Sequence, residues 1–248
     1  MRSPNVIFCS MQSAGGSAID PVLRELLSAK GYFMPTQGPE ASAELCAEVA
    51  KGAVSQPFYH WTHDAIATFR GMIGDQAYRF IFLHRDPRDI AVSMTFDYQK
   101  RGFAADHTFS QILDMIATVI VPQQISEALE WARSGCMVIT FVQMKKDTPA
   151  IMRSLLPYIR YAETDESLSG APITDGEIAR IIDKYRYETV TGRARGDEGE
   201  VIRTAYLYRK GLSGEWRKHF DENLIRKSEI LYGAKLRALG YPPDGDGN

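Results

Sequence analysis

Apolar residues in this chain gather in short dense runs separated by longer stretches of helical period. Val6-Ile7-Phe8-Cys9, Phe80-Ile81-Phe82-Leu83 and Met137-Val138-Ile139-Thr140-Phe141 are each too short for a free-standing helix. Such runs predict buried strands of a parallel sheet covered on both faces, and residues 58–61 offer a fourth. Between them, Ile19, Leu23, Leu26 and Leu27 recur at helical spacing, with Gly31 just beyond. Thr108-Phe109-Ser110-Gln111 has the form of a capping box, opening a helix with Phe109, Ile112, Leu113 and Ile116 on one face. Pro122 predicts a kink or break before a second amphipathic stretch over 125–132. Ile178, Ile181, Ile182 and Tyr185 predict a helix over 175–187, and a last helix runs over 223–239 and stops at Gly240. Strands alternating with helices predict an α/β fold, three-layer α/β/α, with a parallel central sheet. No repeat or low-complexity linker interrupts the pattern. The expected organisation is one domain over 1–241 with a mobile tail over 242–248.

Composition narrows the partners. Lys+Arg 29 against Asp+Glu 31 leaves a formal net charge of -2, so no global basic field argues for nucleic acid and any anion site must be local. Cys9, Cys46 and Cys136 form no Cys-x-x-Cys pair, which fits free thiols in a reducing compartment. No metal is implied. No apolar run reaches bilayer length and no signal-peptide pattern opens the chain, so the expectation is cytoplasmic residence without a transmembrane segment.

Two segments carry chemistry. Ser13-Ala14-Gly15-Gly16-Ser17 lies between the first apolar run and the first helical stretch, giving strand, small-residue turn, helix. Such a turn serves either as a plain connection or as an anion cradle, in which backbone N–H groups and the helix N-terminus face the charge. Arg85 ends the second run, where ligands bind in open α/β sheets. Asp86 suits an N-cap, Pro87 the first helical position and Asp89 the first turn. Ser93 lies one turn further on, so Arg85 and Ser93 either converge on a phosphate or merely flank a salt-bridged helix start.

The stretch from Phe82 to Ser93 resembles the 3′-phosphate motif of sulfotransferases that use 3′-phosphoadenosine 5′-phosphosulfate (PAPS). Tyr208-Arg209-Lys210-Gly211-Leu212-Ser213-Gly214-Glu215-Trp216 resembles that family's Arg-Lys-Gly-x-x-Gly-x-Trp segment, and the stretch from Tyr187 to Glu198 is similar to the one preceding it in bacterial members. The resemblance implies PAPS as donor and 3′-phosphoadenosine 5′-phosphate (PAP) as product. It implies that Arg85, Ser93, Arg209, Lys210 and Gly211 hold the 3′-phosphate, with Phe141 and Tyr187 as aromatics near the base or as plain core. Trp61-Thr62-His63 aligns with the family's Lys-Thr-His, which makes His63 the general base and His60 its local competitor. His84, inside an apolar run, reads as structural, and Trp216 as an anchor beneath the loop.

The chain also departs from the family. The lysine of the first motif falls on Ser13, or on Gln12 with a one-residue insertion, and the lysine of Lys-Thr-His is Trp61. The cation beside the breaking bond is therefore missing. Arg193 or Arg195 could swing in from the glycine- and arginine-rich stretch over 192–214, which is long for a structureless connection; the N–H groups of the glycine turn could serve instead. A third option is a noncatalytic protein that binds PAPS or PAP. A nucleotide kinase shares the strand-turn-helix start but needs Gly-x-x-x-x-Gly-Lys-Ser/Thr, which is absent. The acceptor is a small molecule, a glycan or a lipid, and its identity and the oligomeric state stay open.

Overall fold

A computed structural model describes residues 3–35, 41–159, 173–197 and 210–242. Strand β1 (Asn5–Ser10) leads into helix α1 (Gly16–Ser28), then α2 (Ala41–Ala50), β2 (Tyr59–Thr62), a 3₁₀ turn, and β3 (Tyr78–His84). Helices α3 (Pro87–Lys100), α4 (Phe109–Met115) and α5 (Val121–Arg133) follow, then β4 (Met137–Thr140) and α6 (Phe141–Lys146). The remaining helices are α7 (Thr148–Ile159), α8 (Asp175–Tyr185), α9 (Tyr187–Thr191) and α10 (Glu222–Ala238).

All four strands are parallel, in the order β2-β1-β3-β4, with Cys9 paired to Thr62 on one side and Phe82 on the other. The central runs Val6, Ile7, Phe8 and Ile81, Phe82, Leu83 are buried, as a sheet covered on both faces requires. Helix α1 packs on β1, β2 and α8, while α3, α5 and α10 form a second group with α5 against β3. The chain leaves β1 for one edge of the sheet and leaves β3 for the other. The C-terminal ends of β1 and β3 therefore flank a topological switch point, where α/β sheets bind ligands.

Three local expectations need correction. Phe141 does not close β4 but opens α6, because Thr140 is its N-cap and exchanges bonds with Gln143 in a full capping box. The helix over 175–187 breaks at Arg186, which is extended (ψ 155), so Tyr187 starts a new helix. Pro122 breaks nothing. A π-helical segment, Ile116–Ile120, joins α4 to α5, and Pro122 falls in the first turn after it, where its missing N–H is least costly. The joined helix Phe109–Arg133 is long and apolar enough to cross a membrane by length and composition. Ile112, Leu113, Ile116 and Ile125 on it are buried in the core.

Two buried histidines make the fold acid-sensitive. His60 Nε2 lies 2.7 Å from the Ser42 hydroxyl and His84 Nδ1 lies 2.8 Å from the Tyr241 hydroxyl. Burial holds each imidazole down to about 4. Their folded values are depressed below the unfolded value, so their stabilising contribution is complete above pH ~6.5 and is lost as pH falls toward 4. At about 1.4 kcal/mol per unit, each is expected to remove roughly 3 kcal/mol by pH 4. Urea denaturation near pH 7 and near pH 4.5 checks this: the midpoint should drop at the lower pH, and drop less in His84→Gln. An equal drop in that variant would remove His84 from the account.

Candidate active site

The turn after β1 is shaped by two glycines. Gly15 has φ 94 and caps α1, and a Cβ there would lie 2.8 Å from the Phe141 ring. A Cβ on Gly16 would overlap the Ser10 hydroxyl and lie 3.0 Å from Trp61 Nε1. Ser13 also takes a left-handed conformation, φ 59, one that L side chains adopt rarely. Folded so tightly, the turn brings the N-terminus of α1 to the wall of a cavity of about 460 Å³ shared by Ser13, Gly15, Gly16 and Ser17. First-turn N–H groups of a helix have no intrahelical acceptor, which makes this wall receptive to an anion.

Arg85 ties three parts of the chain to that cavity. Its Nη1 donates to the Ser13 carbonyl (3.2 Å), its Nη2 to the Leu212 carbonyl (2.7 Å), and its guanidinium lies 4.6 Å over the Phe141 ring. Ser93, Lys210, Gly211 and Phe141 share the same cavity wall. The predicted phosphate residues from β3, α3 and the C-terminal loop are thus brought together. Arg209 lies outside the described residues, as does much of the stretch over 192–214. Ala14 and Tyr187 are buried and are not on the wall. Tyr187 instead supports Gly211, whose Cβ would lie 3.5 Å from that ring.

Asp89 holds this arrangement together, a role its sequence position did not disclose. Its carboxylate accepts from the Gly214 N–H (2.8 Å) and the Trp216 N–H (3.0 Å), and lies 3.8 Å from Arg85 Nε. Burial pushes the carboxyl up, while Arg85 and the two N–H bonds pull it down. Neighbouring Arg88 is bound to Asp86 and the Pro242 carbonyl and stacks 3.9 Å over Trp216. Trp216 is therefore the anchor expected beneath the loop.

His63 is exposed on the same cavity. Its Nδ1 lies 2.6 Å from the Ser10 carbonyl and 3.3 Å from the Ser10 hydroxyl. A carbonyl only accepts, so this contact assigns the proton to Nδ1 and leaves Nε2 with a lone pair in the neutral ring. Trp61, in the place of the family's lysine, donates its indole N–H to the Ser10 hydroxyl at 3.0 Å and meets His63 edge-on at 5.2 Å. His60, the competing base, is buried against Ser42 and off the wall.

The wall carries two cations that sequence reasoning passed over, Lys100 and Arg101, with Arg101 Nε bound to Asp97 at 2.9 Å. Their signal was available: 93, 97, 100 and 101 share one face of α3. Arg193 and Arg195, one of the replacements the sequence leaves open, lie near the C-terminal loop. Arg195 pairs with Glu188 (3.1 Å) and lies beside Gly211, and neither it nor Arg193 is on the wall. Lys145 lies over the Phe141 ring at 5.9 Å, its ammonium held down by burial, then by Arg195 and Arg85.

The sulfotransferase domain pattern matches residues 47–240, a range that starts after the divergent glycine turn. Flavonol 3-sulfotransferase of Flaveria bidentis is 26% identical over 111 residues, 42% of this chain and 34% of its own length. Sulfotransferase 6B1 of Danio rerio is 20% identical over 167 residues, 64% of this chain and 52% of its own. The chain thus spans about half, or less, of the length of these curated relatives. Among solved structures, mouse sulfotransferase SULT7A1 complexed with PAP superposes with a TM-score of 0.69 at 17% identity, covering 96% of this chain and 86% of that one. Retinol dehydratase in complex with androsterone and inactive cofactor PAP gives 0.63 at 18%, covering 96% and 82%. At such identities the superpositions speak for the fold, and the domain match, over more than half of the chain, speaks for descent: this protein belongs to the sulfotransferase domain family.

Proposed function

We propose that the protein is a PAPS-dependent sulfotransferase acting on a hydroxyl or amine. The observation that carries this reading is the meeting of Arg85, Ser93, Lys210 and Gly211 with the glycine turn and His63 on one cavity. The residues fit the donor: Arg85 and Lys210 line one part of the cavity and the glycine turn another, drawn tight because Gly15 and Gly16 have no Cβ to strike the Phe141 ring and the Ser10 hydroxyl. Arg85, Ser93, Lys210 and Gly211 would hold the 3′-phosphate, with Arg209 beside them, and the turn from Ser13 to Ser17 the 5′-phosphosulfate. Bound PAPS supplies the sulfuryl group, which passes to the acceptor as its bond to the phosphate oxygen breaks.

His63 takes the acceptor's proton on Nε2, and the Ser10 carbonyl keeps the ring in that tautomer. Lys100 and Arg101 supply positive charge on the wall in place of the family's lysines. One observation favours the noncatalytic reading, namely Trp61 and Ser13 standing at both lysine positions; PAP binding without PAP release from PAPS on any acceptor would select it. We read the unit as one domain over 1–241 in a reducing, cytoplasmic compartment, on the free thiols of Cys9, Cys46 and Cys136. The Pro242 carbonyl accepts from Arg88 at 3.0 Å, which ties the first residue of the expected tail to α3.

Calorimetric titration tests the donor site. PAP should bind, and its 3′-dephosphorylated analogue much more weakly. A hydrogen bond to a charged group contributes about 1.5–3 kcal/mol, so Arg85→Ala should weaken PAP at least about tenfold. Arg85 also braces the loop, so Ser93→Ala provides a milder variant that should reduce affinity in the same direction. Equal affinity for the two nucleotides would overturn the donor assignment.

A further inference from the structure

Gln12 and His63 also wall a second, smaller cavity of about 190 Å³, and they are the residues it shares with the larger one. The two differ in charge. The larger wall carries Arg85, Lys100, Arg101 and Lys210 against Asp97. The smaller carries Asp64 and Glu127 and neither lysine nor arginine. Neither carboxylate has an ion-pair partner among the described residues. Asp64 accepts from the Thr62 hydroxyl (2.7 Å) and Glu127 from the Gln123 amide (3.0 Å), which leaves acceptor capacity on both. Both act, after burial, to raise the Cys9 thiol, so their fields meet at the same floor. Gln124, whose Nε2 donates to Met94 Sδ at 3.7 Å, completes the polar side of the wall. Met11 and Ile120 give the same wall apolar surface, with Phe82 and Trp131 buried behind it.

Both carboxylates of this cavity keep unused acceptor sites, and it is just large enough for one ring, since about 150 Å³ already holds a benzene molecule. A protonated amine brings three donors and no acceptor. Building on the sulfotransferase reading, we infer that the acceptor presents a single six-membered ring bearing a hydroxyl and an ammonium, of the aminocyclitol or amino-sugar class. The ammonium lies between Asp64 and Glu127, the ring carbons against Met11 and Ile120, and the hydroxyl at His63. The hydroxyl oxygen forms the new bond to sulfur, the donor's S–O bond breaks, the proton goes to His63 Nε2, and PAP leaves. A charge boundary at His63 draws the anionic donor to one side and the cationic acceptor to the other.

Three probes with one ring and different charge test this on the PAP-loaded protein by calorimetry: trans-4-aminocyclohexanol, cyclohexanol and trans-4-hydroxycyclohexanecarboxylate. The amine should bind at least about tenfold tighter than the neutral alcohol, and the carboxylate weakest. Glu127→Gln should remove most of that preference while PAP affinity, which shows that the variant is folded, is unchanged. Equal binding of the three probes, or preference for the carboxylate, overturns the inference, and the wild-type comparison decides it without any variant. Failure to bind PAP overturns the sulfotransferase reading instead, and the same titrations without nucleotide then read the ammonium site alone.

Discussion

Replacing His63 by alanine is expected to lower the turnover of sulfuryl transfer by about 10²–10⁴-fold while leaving PAP affinity nearly intact. The asymmetry follows from position. His63 meets the Ser10 carbonyl at the end of β1, whereas the side chains proposed to hold the phosphate come from the end of β3, α3 and the C-terminal loop. Losing the imidazole removes the group that accepts the acceptor's proton but touches none of Arg85, Ser93 or Lys210. His63→Asn refines the test, because an amide can still donate to Ser10 while offering no basic nitrogen. It should be as slow as alanine if basicity matters, and faster if the ring only positions Ser10 and Trp61. PAP release from PAPS under saturating acceptor, beside a PAP titration, gives both readouts. Full activity in His63→Ala would remove histidine from the mechanism altogether, since His60 is buried against Ser42 and cannot reach the cavity.

The sheet was legible because its strands are buried on both faces, and two-sided burial writes itself as uninterrupted apolar runs. The switch-point site followed from it, since Ser13 to Ser17 and Arg85 stand at strand ends. What the sequence hid were features that depend on remote partners. Asp89 looks like an ordinary first-turn acid, yet its acceptors serve N–H groups 125 and 127 residues away. Pro122 looks like a break because local rules do not foresee a π-helical segment absorbing its missing donor. Tyr187 stood open between an aromatic near the base and plain core, and a break at Arg186 turns it inward under Gly211. Lys100 and Arg101 follow Ser93 at helical spacing, but a cation seven or eight residues beyond a motif is marked by the helix face and not by the motif itself.

Asp89→Ala is expected to cost more than any single contact in the donor site, although Asp89 is not on the cavity wall. Its side chain is fully buried beside Arg85, whose own side chain is 9% exposed. Removing one member of a buried pair leaves the other charge uncompensated, typically at about 3–5 kcal/mol. Here two backbone N–H groups, of Gly214 and Trp216, lose their acceptor as well. The expected result is a large drop in the urea midpoint together with at least about a hundredfold loss of PAP affinity in whatever fraction stays folded. Asp89→Asn separates the two causes. Its single amide oxygen can satisfy one of the two N–H groups, and the unsatisfied one costs about 1–3 kcal/mol. The amide also escapes the burial penalty that lifts the native carboxyl, and with it the pH dependence that penalty creates. A raised folded value means the native state keeps its proton more readily than the unfolded chain, so Asp89 weakens the fold as pH rises above about 4. Asp89→Asn should lie between the parent and Asp89→Ala in stability and should lack that component of the pH profile. If Asp89→Ala binds PAP as tightly as the parent, the C-terminal loop reaches the 3′-phosphate without the clamp, and Arg85 alone must set its position.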